Sequence, residues 1–198
     1  MIKFINILDD KPHLKFKGLY DLAILAKQYP IDAVAISSYS IEDKEVDSRF
    51  INLKYIIEDK WIFFSNYSSP KAIQFQSHDQ ISALIFWPTI NAQIRIKAII
   101  SKTSKDLSDS HYRSRSIEKN ALSHSSQQSL LIDSYESIKK NYNKALGSSN
   151  LKKCPDFWGG YSFTPYYFEF WEGHDSRLNK RDVYEMKNGN WQNYILQP

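Results

Sequence analysis

Between Ala33 and Ile100 the chain repeats one kind of segment. Ala33 to Ile36, Phe50 to Ile57, Trp61 to Phe64, Ile81 to Trp87 and Ile94 to Ile100 are short runs rich in Ile, Phe, Val and Trp. Such runs read as strands, and Glu58-Asp59 between two of them marks a tight turn. Strands return near the C-terminus over Ser162 to Trp171, Asp182 to Met186 and Trp191 to Leu196, with Asn188-Gly189 as a hairpin signal. Helical spacing is confined to three places. Leu14, Leu19, Leu22, Leu25 and Ala26 recur between His13 and Gln28, before the stop at Tyr29-Pro30. Ser69-Pro70 opens a short helix through Gln76. Ser134 to Leu146 is amphipathic and ends at Gly147, after which Ser148-Ser149-Asn150 begins a loop. Strands without regular strand–helix alternation predict a mainly β, α+β fold: an antiparallel barrel with peripheral helices, not a doubly wound sheet. With 198 residues, no internal repeat and no dividing linker, the expectation is one domain over 1–198, its first thirty residues a helical segment and 155–198 its closing strands.

Composition narrows the function classes. Aromatic residues make up 15% of the chain, which a disordered sequence does not carry. A formal charge of +4 suits an anionic ligand and calls for neither nucleic acid nor a membrane. The single cysteine, Cys154, excludes an internal disulfide framework and fits a reducing cytoplasm. Asp9 and Asp10 interrupt the N-terminus before a signal-peptide apolar region forms, and Ala83 to Trp87 is far too short to span a bilayer. No Gly-x-Gly-x-x-Gly, Walker loop or nucleophile elbow is present, and His13, His78, His111, His124 and His174 lack metal-ligand spacing. A chain of this kind either binds without reacting or borrows the chemistry of a cofactor.

Two features point to an anionic ligand. Ser65-Asn66-Tyr67-Ser68-Ser69-Pro70-Lys71 leaves a strand and enters a helix N-terminus, where free N–H groups, hydroxyls and Lys71 suit a phosphate. From Asp156 onward, four of the six glycines and three of the five tryptophans lie among Arg177, Lys180 and Arg181. Aromatic surface beside fixed positive charge suits a flat, anionic, aromatic molecule. Arg49 and Lys54 also offer charge, but their odd separation on a regular strand sends them to opposite faces unless the strand bends or ends, or two subunits meet.

The ordered set Trp158-Gly159-Gly160-Tyr161, Glu169-Phe170-Trp171, Arg177-Leu178, Arg181, Trp191 and Leu196-Gln197-Pro198 resembles the C-terminal region of the pyridoxamine (pyridoxine) 5'-phosphate oxidase family. The resemblance runs from about Ile31 to Pro198. It implies a split β-barrel that binds FMN as a homodimer and oxidises a small phosphorylated aromatic substrate with O2. It carries FMN contacts onto the strand from Arg49 through Phe50, Ile51, Asn52, Leu53 and Lys54, onto Phe64, Ser65 and Lys71, and onto Gln93, Gln128, Ser129, Trp171 and Arg181. Pro70 stands where most members have an arginine. The substrate-phosphate clamp maps to Lys54, His111, Arg115 and Lys119, with His111 and Lys119 replacing a tyrosine and a serine. Arg177, implied to lie over the reacting ring, is retained, whereas the family's Arg-Leu-His becomes Arg177-Leu178-Asn179 and its Gly-Ala-Trp becomes Leu122-Ser123-His124. Two alternatives stay open: a relative acting on a bulkier aromatic, as in phenazine biosynthesis, and a protein that holds FMN or pyridoxal phosphate without turnover.

Overall fold

The computed structural model describes residues 1–147 and 150–198, so Ser148 and Ser149 of the expected loop lie outside the described residues. Ten strands of the described residues form one sheet: β1 (Lys3–Ile5), β2 (Ala33–Ser40), β3 (Glu45–Asn52), β4 (Tyr55–Ile57), β5 (Lys60–Asn66), β6 (Gln80–Trp87), β7 (Ala92–Lys102), β8 (Trp158–Glu172), β9 (Lys180–Lys187) and β10 (Asn190–Leu196). Among the described residues five α-helices surround it: α1 (Lys11–Leu25), α2 (Pro70–Ser77), α3 (Lys105–Ser114), α4 (Ile117–Ser125) and α5 (Tyr135–Leu146). No helix among the described residues is long and apolar enough to cross a membrane.

The sheet runs β1-β4-β5-β8-β7-β6-β2-β3, with β9 and β10 added on the far side of β8. All pairs are antiparallel except β1–β4, so the wholly antiparallel reading is corrected at one edge. The two ends of this path meet at a corner. The expected strand from Phe50 to Ile57 is in fact β3 and β4, broken at Leu53-Lys54. There the Leu53 N–H donates to the Asp32 carbonyl at 2.8 Å and the Lys54 N–H to the Ile62 carbonyl at 2.8 Å, passing the chain from β2 to β5. Leu53 is wholly buried and pins the corner. Beyond it β3 and β5 separate, and the opening between them is the split of a split β-barrel.

Core residues follow the period-2 alternation of β6 and β7, where every second side chain is buried. Trp61, Trp87, Phe63, Phe163, Phe168 and Phe170 fill the interior together with Phe16 of α1. Helix α1 begins at an Asp10 cap with Pro12 in its first turn, slightly earlier than expected, and it buries Phe16, Tyr20 and Ala23. The stripe expected inward is therefore corrected: Leu14, Leu22 and Leu25 are exposed. Aromatic size outweighed leucine periodicity, because Phe16 and Tyr20 pack on Trp87 at 5.7 and 6.0 Å between ring centroids.

Helices α3 and α4 were not expected from the sequence. Their buried side chains are only Ser108 and Tyr112, and Asn120 and Ala121. They have almost no apolar periodicity to read. Their start signals are the caps Ser104 and Ser116, whose hydroxyls accept from Leu107 N–H at 3.3 Å and Lys119 N–H at 3.5 Å.

Candidate functional site

The opening between β3 and β5 is a cleft of about 530 Å³, closed on one side by α2 and on the other by α3 and α4. Its position follows from the Trp158-Gly159-Gly160-Tyr161 motif. The Gly160 N–H donates to the Ser108 hydroxyl at 3.1 Å, laying α3 directly on β8. A side chain at Gly159 would put its Cβ 2.2 Å from the Tyr67 hydroxyl, so only glycine admits this approach. Helix α3 thus delivers His111 and Arg115 to the cleft wall.

Eleven of the residues proposed from sequence line this one cavity: Phe50, Ile51, Asn52, Lys54, Phe64, Ser65, Lys71, His111, Arg115, Lys119 and Gln128. Four of them are lysine or arginine, and no carboxylate is in the lining. At the α2 end, Lys71 is 7% exposed and reaches the Ser65 and Ser69 hydroxyls at 3.3 and 3.2 Å. It has no acidic partner among the described residues. Burial, then the neighbouring Arg49 charge, pushes its ammonium down to about 8. Ser69 occupies the helix cap position without capping through its side chain; its hydroxyl donates to the Asn66 carbonyl at 2.8 Å. Of the first-turn backbone groups, Pro70 has no N–H and the Ala72 and Ile73 N–H groups donate to the Ser69 carbonyl at 2.9 and 3.2 Å, which leaves the Lys71 N–H. A buried cation left unpaired beside a helix N-terminus is costly, and a phosphate offsets that cost. The residues present therefore fit the phosphate of FMN, with Pro70 in place of one further charge.

The other end holds a second cationic group. Lys54 bonds Asp32 at 2.8 Å; against the upward pull of burial, that bond holds the Asp32 carboxyl below its ordinary range. Arg115 stacks over Trp158 at 4.5 Å and donates to the Ser123 hydroxyl and the Lys119 carbonyl, both at 3.0 Å. His111 lies flat on Phe64 at 3.8 Å and 7°, and its Nδ1 is 2.8 Å from the Tyr55 hydroxyl. Burial first, then Arg115, Lys54, Lys3 and Lys119, holds the imidazole at about 4, so it is neutral at pH 7. The lining also includes Asn66, Leu122, Ser123, Ser126 and Trp158. Asn66 belongs to the Ser65-to-Lys71 segment, whereas Leu122, Ser123, Ser126 and Trp158 were not read as contacts, because α4 was not recognised and Trp158 was read as motif only.

Eight proposed residues lie outside the lining of this cleft in the same chain. Leu53 is core, and Arg49 instead donates to the Ser38 hydroxyl at 2.5 Å and the Gln74 side-chain amide Oε1 at 3.1 Å, bracing α2. The odd separation of Arg49 and Lys54 is resolved by the end of β3 between them, yet the two do not share the cavity. Ser129 follows Gln128 but does not line it. Gln93, Trp171 and Arg181 form one row across β7, β8 and β9, where Gln93 pairs with Trp171 and Trp171 with Arg181. Arg181 is committed to Glu169 at 2.9 Å and to the Gln197 carbonyl at 3.0 Å. Arg177 and Asn179 sit in the turn after β8. There the Asn179 Oδ1 accepts from the His174 N–H at 3.0 Å, closing the turn, while Arg177 adopts a left-handed φ of 62°.

Comparison with known proteins agrees with this fold. Residues 158–198 match the model of the pyridoxine 5'-phosphate oxidase C-terminal dimerisation region. The chain is 30% identical to a pyridoxine/pyridoxamine 5'-phosphate oxidase of Rhodopirellula baltica, over 97% of this chain and 88% of that one. It is 31% identical to the Pseudomonas putida protein of the same name, over 95% and 89%. Its fold superposes with a TM-score of 0.89 and 25% identity on PhzG from Burkholderia lata, solved with tetrahydrophenazine-1-carboxylic acid, covering 98% of this chain and 99% of that one. A pyridoxamine 5'-phosphate oxidase-related, FMN-binding protein from Nostoc punctiforme shares the fold at 0.77 with 13% identity, over 96% of this chain and 100% of that one. Relatedness over nearly its whole length, on the same split barrel, makes this chain a member of the pyridoxine/pyridoxamine 5'-phosphate oxidase family.

Proposed function

We propose that this protein is an FMN-dependent oxidase that converts pyridoxamine or pyridoxine 5'-phosphate to pyridoxal 5'-phosphate, working as a cytoplasmic homodimer. The observation that carries the reading is the acid-free cleft with cations at two separate ends, one for each of two phosphorylated molecules. For the alcohol, substrate and O2 give pyridoxal phosphate and H2O2; for the amine, water is also consumed and ammonia released. Ser65, Lys71, Gln128 and the backbone edge of β3 would hold FMN, which when bound would supply the hydride acceptor for oxidation of the carbon bearing the amine or alcohol.

The protein's own part is placement. Lys54, Arg115 and Lys119 fix the substrate phosphate by charge-assisted hydrogen bonds, with His111 as a neutral donor. Trp158 and Phe64, parallel at 9°, give an apolar wall beside them. Arg177 has no side-chain partner among the described residues, and its left-handed backbone is the kind of strain found at working sites. Its role is to position the reacting carbon. In the dimer, the Gln93–Trp171–Arg181 row and Arg177 complete the cleft of the second copy. The C-terminal dimerisation match over 158–198 supports that arrangement.

A second reading has its own support. His111, Lys119 and Asn179 depart from the family's substrate positions, and the likeness to PhzG extends over 98% of the chain, so a bulkier carboxylated aromatic fits the same frame. The test is an aerobic assay of the FMN-loaded protein with pyridoxine phosphate, pyridoxamine phosphate and a reduced phenazine carboxylate, following H2O2. Turnover of either B6 phosphate supports the first reading, and turnover of the phenazine alone supports the second. Bound FMN with no turnover of any of the three would leave a carrier.

A further inference from the structure

We propose that Tyr55 is a positioning residue: its hydroxyl donates to Nδ1 of His111 and so holds a neutral imidazole with its Nε2–H presented to the anion-binding end of the cleft. The inference rests in part on the proposed function, because the anion is taken to be the substrate phosphate.

Three observations carry it. The 2.8 Å contact with His111 is the only hydrogen bond the Tyr55 hydroxyl makes among the described residues. A half-buried phenol with one partner is best satisfied by donating, since an unmade O–H bond costs more than a spare lone pair. The ring it serves is already fixed in two other directions. Phe64 covers one face at 3.8 Å, and the Tyr55 ring stands edge-on to both, at 5.4 Å and 85° to His111 and 6.1 Å and 81° to Phe64. Orientation about the ring normal is then set by Nδ1 alone. Finally, His111 lines the cleft with Arg115, Lys54 and Lys119, and its Nε2 has no protein partner among the described residues.

The tautomer matters because these surroundings are cationic. Lys3 on β1, Lys54 at the β3–β4 corner, Arg115 after α3 and Lys119 on α4 all disfavour a charged imidazole. A neutral histidine has one proton to place, and the bond at one nitrogen decides the state of the other. With Nδ1 accepting from Tyr55, Nε2 is a donor to phosphate oxygen. With Nδ1–H donating instead, Nε2 would present a lone pair to the same anion and repel it. Tyr55 thereby gives the imidazole the donor function of the hydroxyl that the family carries at this position.

Two measurements test this. Nitrogen-15 NMR of histidine-labelled free protein should show His111 as the Nε2–H tautomer, and Tyr55→Phe should move it to a mixture. This arm needs no substrate. In turnover, Tyr55→Phe should raise KM for pyridoxine phosphate about three- to tenfold with little change in kcat, while FMN affinity and Tm hold. In a His111→Tyr background the same substitution should change KM less than twofold. A wild-type His111 protonated at Nδ1, or a Tyr55→Phe effect of equal size in both backgrounds, would overturn the assignment. If NMR shows the expected tautomer but pyridoxine phosphate is not turned over, the substrate reading fails and the positioning role stands.

Discussion

The cleft between β3 and β5 and the row across β7, β8 and β9 hold similar residues in opposite electrostatic states. In the row, Glu169 is buried and answers every cation near it: Arg95 at 2.8 Å, Arg181 at 2.9 Å, with the Tyr167 hydroxyl at 3.0 Å as a further donor. In the cleft Lys71 is as buried as any polar group there and has only hydroxyls for company. Within one chain the arginines beside Glu169 have their carboxylate, whereas Lys71 in the cleft has none among the described residues. Unpaired buried charge marks a binding site more reliably than the presence of charge as such.

Substitutions in the two regions should therefore fail in different ways. Glu169→Gln removes the one carboxylate from two arginines and should cost the most stability, about 3 kcal/mol, the low end for a broken buried pair because Arg95 and Arg181 are partly exposed. Thermal unfolding should show Tm falling by roughly 6 to 12 °C. If Tm holds, the row is not the finished structural unit described above. Lys71→Met should do the reverse. It removes a costly buried cation, so the unliganded protein keeps or gains Tm, while FMN affinity drops by about 10- to 150-fold, the value of a charge-assisted bond of about 1.5 to 3 kcal/mol. A variant that loses stability and affinity together would show Lys71 to be a structural residue.

Finer effects sharpen the contrast between the two ends of the cleft. Lys119→Ala should raise KM for pyridoxine phosphate roughly tenfold and leave FMN affinity nearly untouched, whereas Arg177→Ala should lower kcat. The pH dependence of FMN binding should be smaller still and one-sided. A bound phosphate raises the Lys71 pKa above its free value of about 8. The favourable contribution is thus fully present below pH 8 and is lost as pH rises through the bound value. A phosphate monoester is already dianionic in that window, its second pKa being about 6, so a fall in affinity between pH 8 and 10 reports the lysine. Affinity that stays level across that range would remove Lys71 from the site.

The contrast also explains what the sequence could disclose. The Ser65-to-Lys71 segment was legible because strand, cap residue, proline and lysine follow one another locally. Both Asn188 and Gly189 have positive φ, as an Asn-Gly hairpin requires. Helices α3 and α4 were not legible, since α3 buries only Ser108 and Tyr112 and α4 only Asn120 and Ala121, too few apolar side chains to make a stripe. The Glu169 partner of Arg181 was not legible, because nothing local reveals that Glu169, twelve residues earlier, meets it across a strand pair. Residue type gave the charge in each case; only the register of β8 and β9 gave its partner.

The most direct test is a titration of the ligand-free protein with FMN, followed by flavin fluorescence, with Lys71→Met alongside. The account predicts saturable binding of one FMN per chain at micromolar concentration, weakened at least tenfold in the variant, on a particle of roughly 46 kDa, twice the 23.2 kDa chain. No binding by the wild-type protein, or equal binding by both, would contradict it.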